Sequence, residues 1–224
     1  MRGGDGTVIL LVTGTGTDVG KTVATAALAV CAEEAGHHVT VVKPVQTGEP
    51  PGHGDLRTVT GLTGVTDTHC LATCPEPLAP VAAARRAGVV LPGLDGTART
   101  LRALDGPGRV VLVEGAGGLL VSLGGYTLAD LAVRLGAPVV VVTTTVLGSL
   151  NHCALTLEAL ENRGIRCLGV IGGSVPDEPD VPTATTLEEL RAGPWLGGIP
   201  AGAGQLDTET FRAGAVRWLD LPEP

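Results

Sequence analysis

Residues 12–22 read Val-Thr-Gly-Thr-Gly-Thr-Asp-Val-Gly-Lys-Thr and join an apolar run to a segment rich in alanine. The apolar run, 7–13, has the composition of a buried strand, and 23–35 has that of a helix ending before Gly36. Glycines at such a junction let backbone N–H groups turn toward phosphate oxygens, while Gly-Lys-Thr adds a positive charge and a hydroxyl that can ligate Mg²⁺. The pattern predicts a phosphate-binding loop at a helix N-terminus. The alternative is a turn rich in Gly and Thr that precedes a lysine by coincidence.

This loop is one residue longer than the common pattern. The common motif places its first glycine six residues before the lysine, where Thr15 stands in this chain. Gly14 instead lies seven residues before Lys21. Other segments must therefore support the prediction.

Six apolar segments alternate with segments able to form helices: 7–13, 39–43, 109–114, 138–143, 167–171 and 196–199. This alternation predicts an α/β fold. Because 44% of the residues are hydrophobic and only 2% aromatic, the core must consist mainly of Val, Leu, Ala and Ile. Such a core suits a mostly parallel sheet with helices on both faces. We expect 1–224 to form a single P-loop NTPase-like domain, with 44–80 and 176–182 as loops over a site.

Charge and cysteine content limit the partners of the chain. A net charge of −8 would repel a phosphate backbone, so we expect no nucleic-acid binding. The longest apolar stretch, 137–142, is too short to span a bilayer, so we expect no membrane insertion. Five scattered cysteines and an N-terminus without a signal-peptide pattern predict a cytoplasmic protein. His69, Cys70 and Cys74 could hold zinc, but no second ligand pair follows them, and we do not favour that interpretation.

In open α/β sheets ligands bind beyond the carboxyl ends of the strands, so polar residues at these ends are candidates for function. Lys43 ends the second strand candidate. Pro44 cannot continue the ladder of backbone hydrogen bonds, so we expect Lys43 to lie at the edge where the strand ends. Beside a phosphate loop it could neutralise the charge of a transferring γ-phosphoryl group, with Thr47 as a neighbouring hydrogen-bond donor. Without such a loop, a lysine at this place would simply be solvated.

Two carboxylates are candidates for a magnesium site. Glu114 follows the apolar run 110–113, and Asp55 lies at the apparent start of a helix. Mg²⁺ prefers oxygen ligands, so Thr22, Asp55, Glu114 and phosphate oxygens would make a suitable set. On local grounds alone, Asp55 could equally be a helix cap.

A third junction, 147–152, reads Leu-Gly-Ser-Leu-Asn-His and begins a helix that we predict to extend through Glu161. Asn151 and His152 fall on its first turn. An Asn-His pair more often caps a helix or packs against its neighbours than takes part in catalysis. Its position at a strand-to-helix junction nevertheless favours a functional role.

Together these segments resemble the dethiobiotin synthetase family. GTGTDVGKT, KPVQTG, VEGAGG and LGSLNH stand in the family's order and at its approximate spacing, and EPLAPVAAA resembles its substrate-loop segment. The resemblance extends from the phosphate loop to about Pro200. It implies an ATP-dependent and Mg²⁺-dependent ligase of biotin biosynthesis. In this reaction 7,8-diaminononanoate takes up CO₂ as a carbamate, the carbamate attacks the γ-phosphate, and the second amine expels phosphate to close the ureido ring, with ADP as the other product.

The resemblance also implies roles for individual residues. Lys43 and Lys21 would stabilise the transferring phosphoryl group, and Asp18 would face the diamine. Thr22, Asp55 and Glu114 would bind Mg²⁺. The implied nucleotide contacts are Asp18, Val19, Gly20, Lys21, Thr22, Val23, Asp55, Glu114, Gly115, Ala116, Gly117, Gly173, Ser174, Ile199, Pro200 and Ala201. The implied substrate contacts are Thr17, Thr47, Pro80, Gly117, Leu147, Gly148 and Asn151.

Family members commonly form homodimers with the substrate near the subunit boundary. The resemblance would therefore place Pro80, Leu147, Gly148 and Asn151 near the partner's active site. It also predicts that Lys43→Ala abolishes dethiobiotin formation while leaving folding intact.

Two positions depart from the family pattern. Residues 170–174 read Val-Ile-Gly-Gly-Ser and lack the asparagine that some relatives place after this strand to read adenine. We therefore expect relaxed nucleotide choice, because base discrimination requires polar groups that the wrong base leaves unpaired. Val146 stands where some members carry a lysine, so one positive charge near the substrate or the phosphates is missing.

Two other classes of protein remain as alternatives. A partitioning or positioning ATPase would share this sheet, but such switches carry an extra lysine early in the phosphate loop, and residues 16–19 contain none. The chain also lacks a basic amphipathic tail for membrane attachment. The second alternative is the nucleotide-binding half of a cobyrinate-type amidotransferase, although the chain leaves no length for an attached glutaminase domain.

Overall fold

Strands and helices alternate along the chain in the computed structural model, which describes residues 8–50 and 52–221. The strands are β1 (Val8–Gly14), β2 (His38–Lys43), β3 (Gln46–Thr47), β4 (Thr68–Cys70), β5 (Thr73–Cys74), β6 (Arg109–Gly118), β7 (Val139–Thr143), β8 (Cys167–Val175) and β9 (Trp195–Pro200). The α-helices are α1 (Lys21–Glu34), α2 (Asp55–Thr63), α3 (Pro80–Ala87), α4 (Leu94–Leu104), α5 (Leu128–Leu135), α6 (Ser149–Glu161), α7 (Val181–Arg191) and α8 (Thr208–Trp218). All six predicted strands are present.

Seven strands form one parallel sheet in the order β4-β2-β6-β1-β7-β8-β9. The short strands β3 and β5 pair separately beside it. The predicted mostly parallel sheet is therefore confirmed.

Side chains of the central strands alternate between two apolar clusters. In β6, Val110 and Leu112 face the cluster formed with α1, α2 and α8, while Val111 and Val113 face the cluster formed with α4, α5 and α6. Because successive residues of a strand point to opposite faces, a strand covered on both sides must be apolar throughout. The helices on both faces that the sequence predicted are present.

The expectation that 44–80 is a loop is wrong for much of its length. This segment contains α2 together with β3, β4 and β5. Strands of two or three residues are too short to show a periodicity, and the nine residues of α2 lie between Gly54 and Gly64, both of which have positive φ. The second expected loop, 176–182, is also shorter than predicted, because α7 begins at Val181.

No helix within residues 8–50 and 52–221 combines the length and the apolar character that a membrane crossing requires.

The order of the strands determines where a crevice forms. The helix that follows β1 packs on one face of the sheet, and α5, which follows the adjacent β6, packs on the other. Chain connections therefore diverge at the carboxyl ends of β1 and β6, which is where ligands bind in folds of this kind.

Candidate functional site

Residues 15–20 connect β1 to α1 and form the predicted phosphate loop. The N–H of Thr15 donates to Val142 O at 2.9 Å, which anchors the start of the loop on the neighbouring strand. Lys21 and Thr22 are the first two residues of α1, and Lys21 Nζ donates to Gly16 O at 2.7 Å across the loop. Asp18, with φ of 56°, is the one non-glycine residue with positive φ in the described part of the chain. The loop thus lies at a helix N-terminus, where backbone N–H groups favour an anion.

The loop packs against the end of β8. Gly20 has φ of 93°, and a Cβ on it would lie 2.4 Å from Gly173 O. A Cβ on Gly173 would lie 1.7 Å from Val19 O. Both positions therefore require glycine, because backbone meets backbone with no room for a side chain.

Lys43 lies at the centre of a buried charge cluster. Its Nζ is 2.5 Å from Asp55 Oδ2 and 2.8 Å from Glu114 Oε1, and it donates to Gly115 O at 2.9 Å. An ammonium group has three donors, so all of them are used. Thr22 Oγ1 donates to Glu114 Oε1 at 3.0 Å and joins the phosphate loop to the cluster. Lys43 and Glu114 are almost fully buried.

Burial and charge shift the pKa values of this cluster. Burial lowers the pKa of Lys21, and the nearby charge of Lys43 lowers it further. Burial opposes the charge of Lys43, but the carboxylates of Glu114 and Asp55 outweigh this effect and raise its pKa. Burial also opposes the charge of Asp55, yet Lys43 holds the pKa of that carboxyl below its usual value. Burial raises the pKa of Glu114 despite the attraction of Lys43.

The oxygen atoms of this cluster fit a magnesium ion. Glu114 Oε2 is buried and has no hydrogen-bond partner among the described residues, which is costly unless a cation or a donor satisfies it. Thr22, Asp55 and Glu114 supply one hydroxyl and two carboxylates, the oxygen ligands that Mg²⁺ prefers alongside phosphate and water. No group of three or more His, Cys, Asp or Glu side chains in the described part of the chain forms a metal-ligand cluster.

A cavity of about 790 Å³ opens beside this cluster. Most of the residues that the resemblance implied line it: Thr17, Asp18, Gly20, Lys21, Thr22, Val23, Lys43, Thr47, Asp55, Pro80, Glu114, Ala116 and Gly117. Pro80 thus lies in the wall of this chain's own cavity. The structure adds lining residues that sequence reasoning missed: Val45, Gln46, Gly48, Glu49, Pro77, Leu78, Ala79 and Val121. Most of them lie inside or beside the KPVQTG and EPLAPVAAA segments, so their position in the sequence was the available signal.

The implied nucleotide contacts at the ends of β8 and β9 lie outside that cavity: Gly173, Ser174, Ile199, Pro200 and Ala201. Ser174 is exposed, and Pro200 pairs with Val175 at the adjacent ends of β8 and β9, where the Ala201 N–H also donates to Val175 O. The Ile199 side chain is buried in the core with the residues of α1 and α8. Val19 is likewise buried, and Gly115 contributes a carbonyl to Lys43. A contact of these three residues with a nucleotide would therefore involve their backbone.

Leu147, Gly148 and Asn151 lie on a different surface. As predicted, Asn151 and His152 belong to the first turn of α6, which extends to Glu161. Five exposed apolar side chains lie on the loop after β6, on the segment before α6 and on α6 itself: Leu120, Val146, Leu147, Leu150 and Leu155. A second cavity of about 330 Å³ lies between that loop and α6 and is lined by Leu120, His152 and Leu155 among others. We call the surface formed by these five side chains and the second cavity the α6 patch.

Comparison with known proteins gives consistent results. The family model described as "AAA domain" matches residues 9–207. The chain is 52% identical over 207 residues to the ATP-dependent dethiobiotin synthetase of Corynebacterium kroppenstedtii, covering 91% of this chain and 90% of that protein. It is 53% identical over 218 residues to the protein of the same name from Rhodococcus jostii, covering 95% and 94% of the two chains.

Among solved structures, the septum site-determining protein MinD of Pyrococcus horikoshii with Mg-ADP aligns with a TM-score of 0.57 at 17% identity, covering 94% of this chain and 85% of that one. Cobyrinic acid a,c-diamide synthase of Mycobacterium smegmatis with ADP and magnesium aligns with a TM-score of 0.56 at 18% identity, covering 98% and 100%. At these identities the two structures share the fold alone with this chain.

Proposed function

This chain belongs to the ATP-dependent dethiobiotin synthetase family, and from that premise we propose how its residues close the ureido ring. The chain is an ATP-dependent and Mg²⁺-dependent ligase of biotin biosynthesis. Its substrates are 7,8-diaminononanoate, CO₂ and a nucleoside triphosphate, and its products are dethiobiotin, the nucleoside diphosphate and phosphate. The observation that carries the mechanism is the convergence of Lys21, Lys43, Asp55 and Glu114 on one cavity.

The reaction needs a leaving group that a carbamate lacks. One amine of the diamine adds to CO₂ and loses a proton, which gives a carbamate. A carbamate oxygen then attacks the γ-phosphorus, the bond to the bridging oxygen breaks, and the nucleoside diphosphate leaves. The second amine attacks the carbonyl carbon, loses a proton and expels phosphate, which closes the ring. Positioning and charge neutralisation account for most of the catalysis of such a transfer.

Lys21 and Lys43 provide the positive charge for this transfer. Lys21 begins α1 and contacts the outer phosphates together with the N–H groups of the loop. Lys43 approaches from β2, and because its three donors are bound to protein oxygens, an incoming phosphoryl or carbamate oxygen replaces one of them. Asp18, Thr17 and Thr47 line the same cavity, where a carboxylate and two hydroxyls can hold the diamine and its carbamate.

Thr22, Asp55 and Glu114 are the residues that would hold Mg²⁺. Bound there, the ion would offset negative charge on the phosphate oxygens during transfer. The Thr22 hydroxyl and the carboxyl of Glu114 already lie within hydrogen-bonding distance, and the unpartnered Glu114 Oε2 supports a cation at this place.

The α6 patch supports a homodimer. The patch holds five exposed apolar side chains, with Leu147 at 87%, and large apolar patches on a protein surface typically mark binding sites for another protein. A second copy of the chain would cover them. Leu147, Gly148 and Asn151 lie on this surface. In a dimer they would therefore lie close to the diamine site of the partner subunit.

The contact between β8 and the phosphate loop supports weak base discrimination. Gly173 stands in the segment that would read the base, yet it has no room for a side chain against Val19. The glycine backbone of this segment and Ser174 are the groups that remain for the base. We therefore propose that the enzyme accepts more than one nucleoside triphosphate.

The thiol groups support residence in the cytoplasm. All five cysteines are free, as expected in a reducing compartment. Burial raises the pKa of Cys31 and of Cys153 to about 11, so both remain protonated and unreactive at neutral pH.

A direct assay tests the proposed function. The purified protein is incubated with bicarbonate, Mg²⁺, ATP and 7,8-diaminononanoate, and the product is analysed by mass spectrometry. We expect dethiobiotin, with one phosphate released per ring closed, and none when the diamine or the nucleotide is omitted. ATP hydrolysis that proceeds equally without the diamine, and yields no dethiobiotin, would instead indicate a nucleotide switch.

A further inference from the structure

The Gln46 side chain joins two parts of the site that the mechanism above treats separately. Gln46 begins β3 and is buried beside the main cavity. Its Nε2 donates to Thr47 O at 3.0 Å, and its Oε1 accepts from the N–H of Asp55 at 3.1 Å. The side chain therefore links the strand that carries Thr47 to the first residue of α2.

The hydrogen bond to Asp55 replaces a missing helix cap. The first N–H groups of a helix have no partner inside the helix, and a side chain at the N-cap usually accepts from one of them. The N-cap of α2 is Gly54, which has no side chain to do so. Gln46, eight residues before Gly54, supplies that acceptor through the tertiary structure.

The backbone conformation of Gly54 is compatible with this arrangement. Gly54 has φ of 94° and ψ of −156°, a conformation that essentially only glycine adopts. A Cβ at this position would lie 2.7 Å from Gln46 Cδ and 2.8 Å from Oε1. The carboxamide of Gln46 thus occupies the space that a side chain at position 54 would need, and the turn into α2 is closed around it.

The consequence reaches the catalytic lysine. Asp55 Oδ2 lies 2.5 Å from Lys43 Nζ, so the direction of the Asp55 carboxylate depends on where the backbone of α2 begins. We propose that Gln46 is a positioning residue that holds Asp55 in place for Lys43 and for the Mg²⁺–nucleotide complex. This inference rests on the proposed function, because it deepens the role given to Asp55 there.

Binding without turnover tests the proposal. The dissociation constant of an ATP analogue with an imido bridge between the β and γ phosphates is measured by calorimetry, with and without Mg²⁺ and with no diamine present. Gln46→Met keeps the volume of the side chain but removes both hydrogen bonds. We expect it to weaken binding in the presence of Mg²⁺ about tenfold, since groups that orient metal ligands contribute this much, and to change binding without Mg²⁺ much less.

A control variant separates positioning from loss of a helix cap. Asp180 caps α7 by accepting from the Thr183 N–H at 3.0 Å. Asp180→Ala removes a helix-terminal hydrogen bond of the same kind, and we expect a comparable fall in the urea midpoint with no change in the Mg²⁺ effect on nucleotide binding. If Gln46→Met does not fold, Gln46→Asn, whose amide is one methylene too short, replaces it.

A double-mutant cycle identifies the residue through which Gln46 acts. If Gln46 acts through Asp55, Gln46→Met has little further effect on Mg²⁺-dependent binding in an Asp55→Asn background. Equal losses in both backgrounds would overturn the proposal, as would a Gln46→Met variant with unchanged binding. Because the measurement needs no diamine, a wild-type protein that makes no dethiobiotin would remove the proposed function and leave this test intact.

Discussion

Lys43 Nζ, at the carboxyl end of β2, and Glu114 Oε1, on the adjacent strand β6, lie 2.8 Å apart, and both side chains are almost completely shielded from solvent. When two opposite charges are buried side by side, each compensates the charge of the other. Removal of one leaves the other buried without compensation, which costs more than the pair contributes by its attraction. Lys43 therefore has a structural role in addition to its proposed catalytic role.

We expect Lys43→Ala to abolish dethiobiotin formation and also to lower the free energy of unfolding by about 3 kcal/mol. This revises the expectation that folding stays intact, because Asp55 and Glu114 would then face each other without a cation. Urea unfolding measures the loss. Arg86→Ala, which breaks the exposed pair with Glu76, is the control and should cost less than about 1 kcal/mol. A Lys43→Ala variant with wild-type stability would show that the carboxylates find other compensation.

Asn151→Ala should weaken diamine binding more than nucleotide binding. Asn151 is exposed on the first turn of α6, outside the cavity that the phosphate loop lines. We expect the KM for the diamine to rise about tenfold, which corresponds to the loss of about 1.4 kcal/mol, or one good hydrogen bond. The KM for the nucleotide should stay within a factor of two, and an unchanged diamine KM would argue against a role for Asn151.

A charge on the α6 patch should separate the proposed dimer. Leu147→Glu places a carboxylate on its most exposed apolar residue. We expect sedimentation to show a monomer. The specific activity, measured as dethiobiotin formed per amount of protein, should rise with protein concentration. Val216 is also exposed, but it lies on α8 across the sheet, and Val216→Glu should keep the dimer. Wild-type protein that sediments as a monomer at all concentrations would exclude the dimer.

The nucleotide prediction concerns the values of kcat/KM for ATP, GTP and CTP. Without a side chain at Gly173 to read the base, we expect the three values to lie within about a factor of ten of one another, since each specific hydrogen bond contributes about that much. Initial rates of phosphate release in the presence of the diamine give these values. Rejection of both GTP and CTP by a factor of a thousand would show that backbone groups of 199–201 or Ser174 suffice for recognition.

Asp67 should make the free energy of unfolding depend on pH in the acidic range. It lies between His38, Thr40 and His69, with contacts of 2.9, 2.8 and 3.0 Å, at the other end of β2 from Lys43. Burial opposes its charge, but these hydrogen bonds outweigh that and lower the pKa of Asp67 from 3.8 to about 2. A depressed pKa stabilises the folded state above pH 4, and this contribution is lost as the pH falls from about 4 to 2.

The comparison of wild type with Asp67→Asn measures this contribution. At pH 6 we expect the variant to be less stable by about 1 kcal/mol, because the site is partly exposed. The difference should vanish toward pH 2, as urea midpoints at several pH values would show. Asp177, an exposed aspartate before α7, provides the control Asp177→Asn, for which we expect no such trend.

Much of the site could be predicted from short segments of the sequence. The order of strand, glycines, Lys21 and Thr22 is a local pattern, and Lys43 and Glu114 each end or follow an apolar run. These features depend on residues close together in the chain, so a window of about ten residues contains the information. The α/β class follows for the same reason, because strand and helix periodicities are local.

Other features depend on packing between distant residues. Only the sheet order places β2 beside β6, which brings Lys43 within reach of Glu114, 71 positions away, and buries both. Packing also places Ile199 in the core, leaves Gly173 no room beside Val19, and brings Gln46 to the start of α2. The sequence by itself determined which groups carry the chemistry and which fold holds them. The tertiary structure decided which groups are buried, paired and held in place, because burial and hydrogen bonding depend on neighbours that no local pattern specifies.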